Sequence, residues 1–209
     1  MLVISNNCAG AHLYNKCNCA YNNPFMWGMV FAPDMMNLIR RFSTINWGSI
    51  KPMWLTEDIA SRFRHNYQPN TFGICIDNAV TIYYTHYKYD PSKVEPCIDG
   101  VDVLYCKNYD YALRKYNERT QRLMITHEDP SFLIVAYERY GWDDDAFAAL
   151  QSLKTSYKLC IVTNRQLNIV HKNITVITDV ALEQKCAPEL IVTEYYDQIY
   201  NSLGLMTLN

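Results

Sequence analysis

The chain has only seven glycines among its 209 residues. None of them falls in a G-x-G-x-x-G fingerprint or a P-loop, so a dinucleotide or ATP cradle of the standard type is not expected. No apolar run approaches the roughly 20 residues of a membrane span. A basic n-region followed by an apolar stretch is missing at the start, so no signal peptide is read. An excess of positive charge is missing too. The 19 basic residues are outnumbered by 21 acidic ones, for a net charge of −2. A general nucleic-acid binder needs a basic face to displace counterions, so nucleic acid is not an expected partner. Zinc spacing is also absent: Cys17-x-Cys19 is too tight, and no second Cys/His pair completes a set of four. A two-carboxylate metal site would want an Asp-x-Asp at a strand end, whereas Asp143-Asp144-Asp145 reads as the start of a helix. No metal or cofactor is expected.

What is present is apolar. Hydrophobic residues make up 49% of the chain, and no Pro/Gly/Ser-rich linker interrupts them. One α/β domain over residues 1–209 is expected, with two lobes, 1–125 and 126–209, as the alternative. The eight cysteines include Cys75 and Cys160 inside strand-like apolar runs. With no signal peptide, a reduced cytoplasmic protein is the reading. The 17 tyrosines reflect β-propensity or sugar-stacking surfaces.

The opening ten residues organise the rest. Leu2-Val3-Ile4 reads as the end of a buried central strand. It runs into Ser5-Asn6-Asn7-Cys8-Ala9-Gly10, and ligands of open α/β sheets sit beyond the carboxyl ends of such strands. A short helix over 11–16 follows, with Asn6 or Asn7 as its cap. Tyr21-Asn22-Asn23-Pro24-Phe25 is a turn, and Trp27 to Phe31 is strand-like. Pro33 opens a helix whose apolar face is Met35, Met36, Leu38, Ile39 and Phe42, with Asp34 in its first turn. Ile45 to Pro52 reads as loop. Residues 73–76 and 80–85 form a hairpin turning at Asp77-Asn78. The longest helix spans 105–124 and is locally basic. Strands at 132–136, 159–162 and 174–177 alternate with a helix at 143–153, and a closing helix covers 187–203. This alternation predicts an α/β fold of three layers: a mixed, mostly parallel sheet flanked by helices, with a hairpin in the middle of the chain.

Several of these residues resemble a known family. Ile4-Ser5-Asn6-Asn7-Cys8 with Gly10, then Tyr21-Asn22-Asn23-Pro24-Phe25 and Ala32-Pro33-Asp34, is similar to the start of a bacterial domain-of-unknown-function family whose members begin I-S-N-N-C-W-G. His86-Tyr87 looks like its H-Y at a strand end. Arg119 and Arg122 look like its W-x-R-R-x-x-R-I helix, and Tyr137-Glu138-Arg139 like a later strand-to-helix junction. The chain departs at Ala9 and Tyr116, where that family carries tryptophan, and in a longer stretch from Asp90 to Cys106. The resemblance implies an α/β fold and a setting in exopolysaccharide or capsule biosynthesis.

Candidate site residues follow from placement. Cys8, at a helix start, is a candidate nucleophile, since backbone N–H groups there stabilise a thiolate. His86, at a second strand end, is its candidate general base. The alternative for Cys8 is a buried structural thiol. Ser5, Asn6 and Asn7 are candidate oxyanion or hydroxyl contacts, or residues that tie the loop down. Asn22 and Asn23 are either substrate contacts or turn residues. Arg119 and Arg122 share a helix face and could clamp a phosphate or carboxylate, or be solvated. Glu138 is a candidate base and Arg139 a substrate contact, or the two are a structural ion pair. The expected function is a transferase of bacterial surface-polysaccharide assembly acting on a sugar or acyl group through a Cys8–His86 pair. The alternative is a non-catalytic partner protein that binds a glycan or nucleotide sugar. The expected ligand is a sugar, nucleotide sugar or acyl donor.

Overall fold

The computed structural model describes residues 1–62, 71–84, 103–126, 128–185 and 187–205. Four strands, β1 (Val3–Ser5), β5 (Ser131–Val135), β6 (Lys158–Thr163) and β7 (Ile174–Thr178), form a parallel sheet in the order β1-β5-β6-β7. Side chains alternate across it with the period of two that a pleat imposes. Ile4, Phe132, Ile134, Leu159 and Ile161 point into one core. Val3, Leu133, Val135, Cys160 and Val162 point into the other. The second core is closed by α1 (Ala9–Lys16), α6 (Pro188–Glu194) and α7 (Tyr196–Ser202). The first is closed by α2 (Ala32–Arg41), α5 (Asp144–Gln151) and the buried stripe Ala112, Tyr116 and Leu123 of α4 (Val103–Ile125). This is the α/β arrangement the alternation predicts, with helices on both faces of a parallel sheet.

The hairpin forms where expected. Strands β3 (Phe72–Ile76) and β4 (Val80–Tyr83) turn at Asp77 and Asn78, both with positive φ. That conformation suits Asp and Asn better than most residues. The hairpin does not join the parallel sheet. It forms its own antiparallel sheet, in the order β2-β3-β4, with β2 (Ile50–Trp54). A short helix, α3 (Glu57–Arg62), follows β2. The sequence reads as loop at β2 because it holds Pro52. Proline is tolerated on edge strands such as this one. The closing helix is in fact two, α6 and α7, meeting at Tyr195.

The opening strand is corrected in one respect: β1 is an edge strand, not a central one. It reads as central because it is buried on all sides, and its outer edge is covered by side chains instead of a strand. The Tyr14 hydroxyl accepts from the Val3 N–H at 3.0 Å. Asn23 Nδ2 donates to Val3 O at 2.9 Å, and Asn22 Nδ2 to Met1 O at 2.7 Å. Beyond the strand, Val30 N donates to Asn6 O at 2.9 Å. An exposed row of unpaired strand groups is thereby avoided.

On the inner edge the Asn6 side chain extends the ladder. Its Nδ2 donates to Val135 O at 3.0 Å and its Oδ1 accepts from Val135 N at 2.9 Å. The amide thus stands in for a peptide group. Replacing Asn6 by alanine leaves both Val135 groups buried and unpaired, and should lower unfolding stability by about 2–4 kcal/mol in a denaturant titration. Asn6→Asp should also destabilise, because a carboxylate cannot donate to the Val135 carbonyl. Wild-type stability in both variants would remove this role.

Asp34, in the first turn of α2, accepts from Thr81 N at 2.9 Å. Burial, outweighing that hydrogen bond, raises its carboxyl from the usual 3.8 to about 6. The folded form therefore holds the proton more tightly than the unfolded chain. Its stabilising contribution is full below about pH 4 and is lost as pH rises through about 6. An asparagine at this position keeps the acceptor and cannot ionise. The stability of Asp34→Asn relative to wild type should therefore climb by about 2–3 kcal/mol between about pH 4 and pH 7. A flat difference across that range would refute the assignment.

Candidate functional site

The carboxyl ends of the parallel strands gather one group of polar residues. Ser5 ends β1 and Asn6, Asn7 and Cys8 follow it, Glu138 and Arg139 follow β5, Asn164 and Arg165 follow β6, and Asp179 follows β7. The first of these turns is tight. Asn7 Oδ1 accepts from Ala9 N at 3.0 Å, and His12 N donates to Cys8 O at 3.1 Å, which starts α1. Gly10 is required there, because a Cβ at this position would lie 2.8 Å from Ser5 Cβ.

Within this turn two side-chain groups are buried without a hydrogen-bond partner: Ser5 Oγ and Asn7 Nδ2. Both residues are only 2% exposed. Trp142 Nε1 and Asn164 Oδ1, in the segments after β5 and β6, are in the same state. Each such group costs about 1–3 kcal/mol unless something completes it.

Around them sit charges and rings. Arg165 pairs with Asp144, and its second nitrogen lies 3.5 Å from Glu138 Oε1. The Glu138 N–H donates to Glu183 Oε1 at 2.8 Å. The Arg139 guanidinium lies 4.3 Å from the Tyr137 ring centre and 5.3 Å from that of Tyr140, within cation–π range. Tyr140 packs against all three apolar clusters of the described residues. Burial raises its phenol foremost. The Arg139 charge opposes this, while the Cys8 thiol and Glu183 add to it. Tyr140 thus has Cys8, Arg139 and Glu183 as electrostatic neighbours. No recognisable motif singles out Tyr140, Trp142, Asn164 or Glu183. For the first three, the one signal in the sequence is position just after a parallel strand.

Cys8 itself is buried, and burial pushes its thiol up to about 12. A helix start ordinarily favours the thiolate. Desolvation wins here because Cys8 is only 5% exposed. His86, the expected base, lies outside the described residues, as do Tyr87 and the stretch 90–102 ahead of α4. Among the described residues no cluster of His, Cys, Asp and Glu could hold a metal, and no helix is long and apolar enough to cross a membrane.

The remaining candidates lie elsewhere. Asn22 and Asn23 cover the outer edge of β1 toward its amino half. Arg119 and Arg122 do not act together. Arg119 is 6% exposed and donates to Met26 O at 2.7 Å, locking α4 onto the 21–27 loop, with its guanidinium 5.5 Å from the Tyr21 ring. Arg122 is exposed on the next turn. A cavity of about 790 Å³ opens at the opposite, amino end of the sheet.

The thiol's state can be measured directly. Cys17 and Cys19 are half-buried free thiols. Iodoacetamide at about pH 8 should label them in the native protein while Cys8 stays unmodified until denaturant is added. Equal labelling of Cys8 and Cys19, read by peptide mass spectrometry, would show a reactive thiol.

No curated protein matches the chain. Residues 1–95 match the family described as Domain of unknown function (DUF1919), so the resemblance drawn from the opening motif holds over the stretch that carries β1, α1, α2 and the antiparallel sheet.

Proposed function

We propose that the carboxyl edge of the parallel sheet binds a sugar or nucleotide sugar without a covalent step, as part of bacterial surface-polysaccharide biosynthesis. The observation that carries this reading is the pair of buried, unpartnered groups, Ser5 Oγ and Asn7 Nδ2, at the position where open α/β sheets bind ligands. A hydroxyl and an amide N–H suit the hydroxyl groups of a sugar. Arg139 brings a guanidinium to the same edge, over the Tyr137 and Tyr140 rings. The half-buried ring of Tyr140 adds apolar area of the kind that packs on a pyranose. The biosynthetic setting rests on the family resemblance.

A transferase using Cys8 as nucleophile is the weaker reading, because a thiol raised to about 12 is protonated at neutral pH. Transfer of a sugar between bound partners needs no thiol and is compatible with the same site.

The test is thermal unfolding with a panel of sugar nucleotides and free sugars. A ligand at about 100 times its Kd should raise the midpoint by about 5–10 °C. Asn7→Ala should abolish that shift, and Cys8→Ala should keep it. A panel without any shift, or a shift that survives Asn7→Ala, would overturn the proposal. Loss of the shift in Cys8→Ala with a retained fold would restore the covalent reading.

A further inference from the structure

The cavity of about 790 Å³ lies among the amino ends of β1, β5 and β6 and the C-terminal turn of α7. Its size falls within the range of small-molecule sites. One wall is aromatic. Tyr196 and Tyr200, one helical turn apart, hold their rings 5.5 Å apart at 32°, and Tyr157 lines the cavity as well. The Tyr196 hydroxyl lies 3.5 Å from Cys17 Sγ, which holds its ring in place.

The charges of the cavity are not balanced. Glu128 is taken up by the Met1 amino group at 2.7 Å. Asp129 is the other acid on the lining. Against it stand Lys16 and Lys158, and neither has a carboxylate within ion-pair distance among the described residues. Lys16 instead lies 4.6 Å from the centre of the Tyr196 ring. The Lys158 ammonium lies beside the turn after α7. Gly204 has φ +63°, and a Cβ there would collide with Lys158 Nζ. A glycine at this turn therefore leaves the space that the ammonium occupies.

We propose that this cavity is a second ligand site, for a small organic anion that carries a ring. The ring packs on the Tyr196–Tyr200 wall, and the phosphate or carboxylate is met by Lys158 and Lys16. A ring on tyrosine gains apolar contact area. An anion meeting two ammonium groups gains charge-assisted hydrogen bonds, and only one acid opposes it. The site stands at the opposite end of the strands from Ser5 and Asn7, so the two are independent.

The test is calorimetric or NMR titration of the whole chain with four probes: phenyl phosphate, glucose 1-phosphate, inorganic phosphate and phenol. Phenyl phosphate or glucose 1-phosphate should bind saturably, at least about tenfold tighter than either single fragment. Which of the two is tighter tells an aromatic ring from a sugar ring. Lys158→Met, at an exposed position, should weaken binding about fivefold or more, and Tyr200→Leu should do the same. Three outcomes overturn the proposal: no saturation at about 10 mM, inorganic phosphate binding as tightly as both ring phosphates, or affinities unchanged in both variants. Binding lost in Asn7→Ala and intact in Lys158→Met would assign the anion to the carboxyl edge and also overturn it.

Discussion

The amide of Asn6, bonded to both backbone groups of Val135, is the constraint on which the rest of the structure depends. The strand it extends has only three residues. A strand so short holds its register weakly, and a slip of one residue would exchange Val3 and Ile4 between the two cores. The side-chain amide adds two buried hydrogen bonds at the point where the ladder ends. It also fixes the direction of the chain as it leaves the sheet. Asn7 then accepts from Ala9, α1 starts at once, and Gly10 passes close over Ser5. The enclosure of Cys8 and the burial of Ser5 Oγ and Asn7 Nδ2 are consequences of this sharp exit.

The polar residues of the opening half divide their work by where they meet β1. Asn22, Asn23 and Tyr14 satisfy its outer edge, and Asn6 its inner one. Arg119 reaches from α4 to a carbonyl of the loop that carries these asparagines. Side chains of types common in active sites are here the means of closing an edge strand without a further strand. Asn7 and Ser5 differ from them in one respect, which is that each retains a buried group with nothing to bond. That difference, more than residue type, separates a candidate contact from a tie.

Elements governed by local period were legible in the sequence. The apolar faces of α2 and α4 repeat at helical spacing, and the Asp77-Asn78 turn has residues that accept positive φ. Asp143 caps α5, as its acidic start suggested, by accepting from Ala146 N at 2.9 Å. What was not legible depends on partners distant in the chain. Val3 and Ile4 look the same whether a strand or a set of side chains covers their edge. Pro52 hides β2 because an edge strand tolerates what a central strand does not. Placement at a strand end marked Cys8 in the sequence, but its thiol's state follows from burial by residues that pack from elsewhere, and no local pattern encodes that. Arg119 and Arg122 share spacing and charge, and only the loop at Met26 makes one an anchor and leaves the other in solvent.

The family match ends at residue 95, yet the matched stretch is not a closed structural unit. The ladder partner of β1 in the parallel sheet is β5, at residues 131–135. Asn6, within the matched stretch, makes both its side-chain bonds with Val135. Tyr116 of α4 donates to Trp47 O at 2.8 Å, and Arg119 to Met26 O. The apolar core that holds α2 and the hairpin also contains Phe132, Ile134, Leu159 and Ile161. The Ser5–Cys8 turn therefore has its shape only when the later strands are present. Tyr140, the electrostatic neighbour of Cys8, comes from those same later segments, as do Arg139 and Glu183 beside it. Any chemistry of the opening motif is in this protein a property of the whole sheet.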